Sequence, residues 1–467
     1  MSARSDLMKN AIFFIAVLLS RLPFLTEGYG LDGDAWGVAL TALKLKTTGT
    51  YEVSRFPGYP VQEFLSSLAV SENYFSLNFL TAVVSTSGVL AFVLALKELR
   101  FRAPYLAGAA LASVPVLYIN STLPIDYTYS LALQLWALYL VVRQRPIAAG
   151  IVMGFAIGTR ITSVALLLPL AMMLLSRDGL QSNLRRIFRF LFPAFLTGVS
   201  CYYPVYRHYG WEFLTYYDVP YPAVPRILYK FFVEVWGLLG VAAIFLGTAL
   251  MFLPERMTRT DYLFPRSIGV LHVTAWIIAI DLYIIAFLKL PMEAGYLLPV
   301  LPFVLMLFGK YLIRPAYMTV CVLLVASPFF FSVSPADRRD AETPSPLSSK
   351  IHIAGEDLVV DALKGPVTAF ESRRENAMRY GEAILARMDS LDHPAVVICG
   401  QWYNQLVAMN RSEFRGHTAL APHIGEEQIL SYYSNGRYLY YLYRQDRLNR
   451  EVKGADPSHY GAALFDR

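Results

Sequence analysis

Residues 11–47 read AIFFIAVLLSRLPFLTEGYGLDGDAWGVALTALKLKT, and their order decides the fold. An apolar run comes first, a turn rich in Gly and Asp follows, and apolar residues then return at helical spacing. Arg4 and Lys9 precede the run, as they would in a secretory signal. Arg21-Leu22-Pro23 offers no small-residue cleavage site, so the run is read as a retained first membrane span. Beyond the turn, Trp36, Leu40, Leu43 and Thr47 share one helical face, with Lys44 and Lys46 elsewhere. That pattern predicts a helix lying along the membrane surface.

The rest of the chain extends this beginning. Of its 467 residues 55% are hydrophobic and only 16% are charged, well below the roughly 25% of a soluble domain. Apolar blocks of about the 17–25 residues that a bilayer requires recur near 11–26, 76–96, 104–119, 128–142, 146–159, 161–176, 190–206, 231–253, 267–288, 296–313 and 316–333. Hydrocarbon supplies no water to backbone groups, so these blocks are expected to be helices, about eleven in all.

The formal charge of +6 does not indicate a nucleic-acid partner, because the Lys and Arg residues gather at the ends of apolar blocks. With the N-terminus inside, the inner loops hold Lys97, Arg100 and Arg102, then Arg143 and Arg145, then Arg177, Arg185, Arg186 and Arg189. Arg256, Arg259 and Arg266 follow, and lastly Lys310 and Arg314. This is the positive-inside pattern. It places the first outer loop (27–75) and everything after about 334 on the extracytoplasmic side.

The expected organisation is an all-α polytopic membrane domain over 1–333, a polar linker over 334–350 and a small soluble α/β domain over 351–467. In the last part, 366–370, 395–399 and 437–443 are expected strands, with helices over 371–388 and 401–409. No glycine fingerprint for nucleotides occurs there. Cys201, Cys321 and Cys399 are too few and too scattered for a disulfide framework or a zinc site.

Asp32 and Asp34 follow the first span by a few residues. Sugar transfer to a hydroxyl needs a base for the acceptor proton, and a carboxylate at the membrane boundary can supply it. The plainer reading is an N-cap for the next helix. Asp34 directly precedes that helix, so it is expected to cap while Asp32 acts. Ser54-Arg55-Phe56-Pro57-Gly58-Tyr59-Pro60 is then a turn-rich segment, and 63–70 a second short surface helix.

A first span, an acidic motif just outside it, surface helices and many further spans resemble the GT-C superfamily of membrane glycosyltransferases. That superfamily uses polyprenyl-phosphate sugars and includes the protein O-mannosyltransferases and the bacterial aminoarabinose transferase. The resemblance covers roughly 11–313 and rests on Asp32-Gly33-Asp34-Ala35-Trp36 and on Tyr296-Leu297-Leu298-Pro299-Val300-Leu301-Pro302. The second stretch is similar to a Tyr-x-x-Pro-x-x-Pro element that opens a late span. Family members often carry Arg or His before that Tyr, where this chain has Gly295.

The resemblance implies transfer from a polyprenyl-phosphate sugar to a glycan, lipid or protein acceptor at the outer face, with inversion. The plasma membrane is favoured over the endoplasmic reticulum. Arg160, Lys289, Arg55 and Arg207 are the candidates for the donor phosphate, a guanidinium being suited to bidentate phosphate contact. Glu293, Tyr296, Tyr59 and His208 are expected around the substrate cavity. No cofactor is expected, although Asp32, Asp34 and Glu293 are oxygen ligands of the kind a divalent metal takes. Asp281, inside a span, is expected to be paired in the interior. Tyr202, Tyr203, Tyr206, Tyr209, Trp211, Tyr216, Tyr217 and Tyr221, with Pro220, Pro222 and Pro225, would form an interfacial aromatic loop. The competing reading is a transporter or flippase of lipid-linked sugar. Its polar residues would meet near the membrane midplane rather than at the surface.

Overall fold

The computed structural model describes residues 3–176, 178–215, 221–252, 263–265, 268–335, 345–353, 356–422, 426–443 and 460–465. Arg177, Arg256, Arg259, Arg266, Tyr216, Tyr217, Pro220 and residues 336–344 of the expected linker lie outside the described residues.

Helix α1 (Ala3–Leu19) ends earlier than the apolar pattern suggests and is followed by a 3-10 turn, Leu22–Phe24, at Pro23. Helix α2 (Gly33–Thr48) stops at Gly49, whose left-handed backbone (φ 71°) turns its N–H onto Leu45 O, a glycine terminus. Helix α3 (Pro60–Ala69) opens on a proline at its first turn, where the missing N–H costs no hydrogen bond. Helix α4 (Tyr74–Glu98) starts with the Asn73 side chain accepting from Ser76 N–H.

The expected span 104–119 divides into α5 (Pro104–Ser113) and α6 (Pro115–Asn120). Pro115 forces Val114 into an extended conformation. Helices α7 (Asp126–Val142), α8 (Pro146–Thr159), α9 (Leu167–Met173), α10 (Leu180–Tyr209), α11 (Val224–Leu228), α12 (Val235–Met251), α13 (Val270–Lys289), α14 (Val300–Tyr311) and α15 (Arg314–Ala326) complete the bundle. Between α11 and α12, Tyr229–Glu234 winds as a π-helix, a geometry found mostly as single turns at functional sites.

Among the described residues, four helical stretches are long and apolar enough to cross a membrane by length and composition. They are Arg4–Phe24, Tyr74–Glu98, Val224–Met251 and Val270–Lys289. Shorter apolar helices include Pro146–Thr159, Ile161–Met173, Val300–Tyr311 and Arg314–Phe329. Asp281 is not paired inside the bundle as expected; it is exposed on α13.

One packing device bears directly on the site. Gly150, Gly154 and Gly158 form a four-residue ladder on α8. An added Cβ would meet Phe190 O at 2.2 Å, Thr197 Cβ at 2.5 Å and Cys201 Cβ at 2.4 Å respectively. Small residues at this spacing let helix backbones touch in a membrane. The ladder draws α8 onto α10 and fixes Arg160, the residue that ends α8.

After α15 the chain forms two sheets. Strands β1 (Ser332–Pro335), β2 (Ser348–Ile353) and β3 (Glu356–Asp361) make an antiparallel sheet in the order β1-β3-β2. The polar stretch expected as a linker therefore contributes strand residues at both ends. Helix α16 (Pro366–Asp389) takes in residues 366–370, which were expected to be a strand. Pro366 sits at its first turn, and the Thr368 hydroxyl accepts from Gly365 N–H at 3.0 Å, so local capping overrides the β-branched run.

Strand β4 (Ala395–Ile398), helix α17 (Tyr403–Asn410), strands β5 (Phe414–Arg415) and β6 (Thr418–Ala421), helix α18 (Glu426–Ser434) and strands β7 (Tyr438–Tyr443) and β8 (Tyr460–Phe465) follow. The five strands order as β5-β6-β4-β7-β8, with β6, β4, β7 and β8 parallel. Ile384, Val397, Leu406 and Leu420 share its core, so the near-continuous apolar β4 is buried as a central parallel strand should be.

Candidate active site at the acidic turn

Asp32, with extended backbone, is the N-cap of α2; its carboxylate accepts from Asp34 N–H at 3.1 Å. The expectation that Asp34 caps the helix is therefore not met. Capping needs the residue before the first helical turn, and that residue is Asp32. Asp34 is left one position inside the helix, with its Oδ2 3.0 Å from Arg55 Nε. Burial pushes the Asp34 carboxyl up to about 6, against the pull of Arg55, and Asp32 and Asp126 add to the rise. Of the face expected to lie on the membrane, Leu43 and Thr47 are exposed while its first residue packs inward. Trp36 is buried against Tyr29 and Tyr74 and donates its Nε1 to Gly30 O at 3.0 Å.

Arg55 reaches the site because its loop is tied down from beneath. The fully buried Glu63 of α3 accepts from Tyr51 OH (2.5 Å), Ser54 N (2.8 Å), Ser54 Oγ (2.6 Å) and Tyr59 N (3.2 Å). One carboxylate thus gathers the whole turn-rich segment. Arg55 stacks over Tyr59 at 4.3 Å and sends Nη2 to Asp126 Oδ1 at 2.7 Å. Its Nη1 is buried and finds no acceptor among the described residues.

Asp126 is the centre of the arrangement, and sequence reasoning missed it. It is fully buried at the first turn of α7, and its two oxygens accept from Arg55 and from Arg160 Nη1. Arg160 in turn lies over Tyr127 at 4.2 Å and Tyr296 at 4.3 Å. A usable signal was present: Pro124-Ile125-Asp126 puts an acid at the start of an apolar helix, where charge is costly unless paired.

Glu293 precedes the 3-10 turn that carries Tyr296. Burial pushes its carboxyl up to about 8, opposed by Lys230, whose Nζ lies 3.9 Å away and 3.5 Å from Glu234. Lys230 stands on the π-helical turn. A small polar cavity under Arg160 is lined by Tyr127, Ser130, Gln134, Tyr283 and Tyr296.

The structure thus brings Asp34, Arg55, Tyr59, Arg160 and Tyr296 together, with Asp32 and Glu293 alongside. It leaves out Lys289, exposed at the end of α13, and Arg207 and His208, exposed near the end of α10. These last positions lie on outward helix faces, which spacing alone does not reveal. Among the described residues, no group of three or more His, Cys, Asp or Glu could hold a metal ion. The gap between Asp34 and Asp126 is bridged by the Arg55 guanidinium.

No family model and no curated protein sequence matches this chain. Solved structures do. ArnT from Cupriavidus metallidurans in the apo state is similar over 99% of this chain and 90% of its own, at 11% identity and a TM-score of 0.54. The same protein bound to undecaprenyl phosphate is similar over 88% of this chain and 85% of its own, at 14% identity and a TM-score of 0.51. Identity this low speaks to the fold, and the fold agrees with the resemblance carried by Asp32-Gly33-Asp34-Ala35-Trp36. The chain has the fold of ArnT, an aminoarabinose transferase among the GT-C glycosyltransferases.

Proposed function

We propose that this protein is a membrane glycosyltransferase that moves a sugar from a polyprenyl-phosphate donor to an acceptor hydroxyl at the extracytoplasmic surface, with inversion. The observation that carries the reading is the Asp34–Arg55–Asp126–Arg160 chain of charges, assembled from three separate helix ends and one loop. A transporter would need such groups near mid-helix. Here Asp126 opens α7, Arg160 closes α8 and Asp34 lies in the first turn of α2. The ArnT structure bound to undecaprenyl phosphate supports a donor of that class.

In this mechanism Asp34 accepts the proton of the acceptor hydroxyl. The acceptor oxygen attacks the anomeric carbon from the face opposite the phosphate. The bond from that carbon to the phosphate oxygen breaks, and polyprenyl phosphate leaves with the electron pair. Arg55 and Arg160, held in place by Asp126, meet the charge that grows on the leaving phosphate. Preorganised cations of this kind need no rearrangement during the reaction.

The buried Nη1 of Arg55, with no acceptor among the described residues, is the donor best suited to phosphate. Arg55→Ala is expected to weaken polyprenyl-phosphate binding by about 10–100-fold, the range for a lost hydrogen bond to a charged group. Arg55→Lys, which keeps charge and loses the fork, should fall between that and wild type. Titration of purified protein in detergent with polyprenyl phosphate reads the difference. Wild-type affinity in both variants would remove Arg55 from the phosphate site and leave Arg160 and Lys230 as candidates.

A further inference from the structure

Helices α16 and α17 of the C-terminal region are docked on the acidic turn itself. Arg374 of α16 is 1% exposed. It donates Nη1 to Phe24 O at 2.9 Å, Nε to Glu27 O at 3.0 Å and Nη2 to Gly28 O at 2.8 Å, with Glu371 3.0 Å from Nη1. Residues 25–31 have no regular helix or strand to satisfy their carbonyls. A buried guanidinium from the soluble domain supplies part of that need, at Glu27 and Gly28, with strong, charge-assisted bonds.

Further along, Asn404 Nδ2 of α17 donates to Gly33 O at 2.9 Å, between the two aspartates. The backbone approaches as closely as the side chains. A Cβ at Gly33 would stand 3.3 Å from Gln401 O, and one at Gly28 would stand 2.7 Å from Met378 Sδ. Gly28 also has φ +73°, so a larger residue there would be strained as well as crowded. At the far edge, Arg411 meets Glu72 at 3.1 Å.

The stretch from Phe24 to Gly33 is therefore held from two sides: Asn78 of α4 donates to Leu25 O and Gly28 O at 2.9 Å and Trp36 to Gly30 O, and the groups of the soluble domain complete the hold. We propose that this domain positions the acidic turn for sugar transfer, with Arg374 and Asn404 as positioning residues, so that the chemical step requires the domain to be docked. The proposal rests on Asp34 being the base. It gives the domain a task that needs no catalytic motif of its own, consistent with the lack of one in its sequence. A misplacement of a reacting group by about 1 Å can cost about 100-fold in rate, so loosening this turn should act on turnover and spare donor binding.

The test uses the full-length protein and the variants Arg374→Lys and Asn404→Ala. Asn404 is half-buried on the domain surface, so its truncation leaves folding intact if the buried Arg374 does not tolerate change. Two readouts are taken: hydrogen exchange of peptides spanning 24–37, and sugar transfer alongside polyprenyl-phosphate affinity. Faster exchange over 24–37, a kcat lower by about tenfold or more and phosphate affinity within about twofold of wild type are expected. Unchanged exchange, unchanged kcat, or a fall in phosphate affinity that matches the fall in kcat would each overturn the proposal. If wild-type protein transfers no sugar, the functional reading fails by itself. Exchange over 24–37 then still decides whether the domain holds the turn, faster exchange supporting it and unchanged exchange refuting it.

Discussion

Asp34→Asn should bind polyprenyl phosphate as wild type does and transfer almost no sugar, a loss of about 10²–10⁴ in kcat for a missing general base. Asp32→Asn should turn over nearly normally. Asn caps a helix about as well as Asp, and capping is what the Asp32 carboxylate does. The pair of variants thus separates two acids that lie two residues apart.

The pH dependence should follow the same assignment. Burial raises the Asp34 carboxyl from the ordinary carboxylate range to about 6. Below that value the base is protonated and cannot take the acceptor proton; above it the base is free. Transfer should therefore fall about tenfold per pH unit below about 6 and level off above about 7, and in Asp34→Asn this limb should vanish. An unchanged acid limb in that variant, or full activity, would contradict the role given to Asp34.

The second large effect is expected at Asp126. Its carboxylate is the shared partner of two cations, the buried Arg160 and the half-buried Arg55. Removing one member of a buried ion pair costs about 3–5 kcal/mol because the other charge is left without compensation. Asp126→Ala should lower the thermal midpoint in detergent markedly and abolish transfer. Adding Arg160→Ala removes one of the stranded charges, so the double variant should recover part of the midpoint and none of the activity. A double variant that is less stable than Asp126→Ala would contradict the view that Asp126 serves chiefly to hold the two arginines.

The helical membrane domain was legible in the sequence because its signals are strong and local. Apolar blocks, basic loop ends, the Asp-Gly-Asp turn and Pro60 at the start of α3 each act within a few residues. The N-cap is Asp32 rather than Asp34 because capping is decided by one residue of register. Asp126 was missed because its meaning depends on Arg55 and Arg160, 71 and 34 residues away. Lys289, Arg207 and His208 stand exposed at helix ends; charge at a helix end is visible in a sequence, whereas the direction of the face is not. The strand expected at 366–370 became helix because a proline and a threonine capped it. The docking of Arg374 on carbonyls some 350 residues earlier leaves no trace in a pattern reading.

The most direct measurement is the fate of label in a lipid extract. Purified protein is incubated with an extract that contains radiolabelled polyprenyl-phosphate sugars and with a membrane acceptor fraction. Wild-type protein should move label from the polyprenyl-phosphate pool into acceptor and release free polyprenyl phosphate, whereas Asp34→Asn should leave the label where it was. Label that stays in the polyprenyl-phosphate pool with wild-type protein, or that moves equally well with Asp34→Asn, would contradict transfer at the acidic turn.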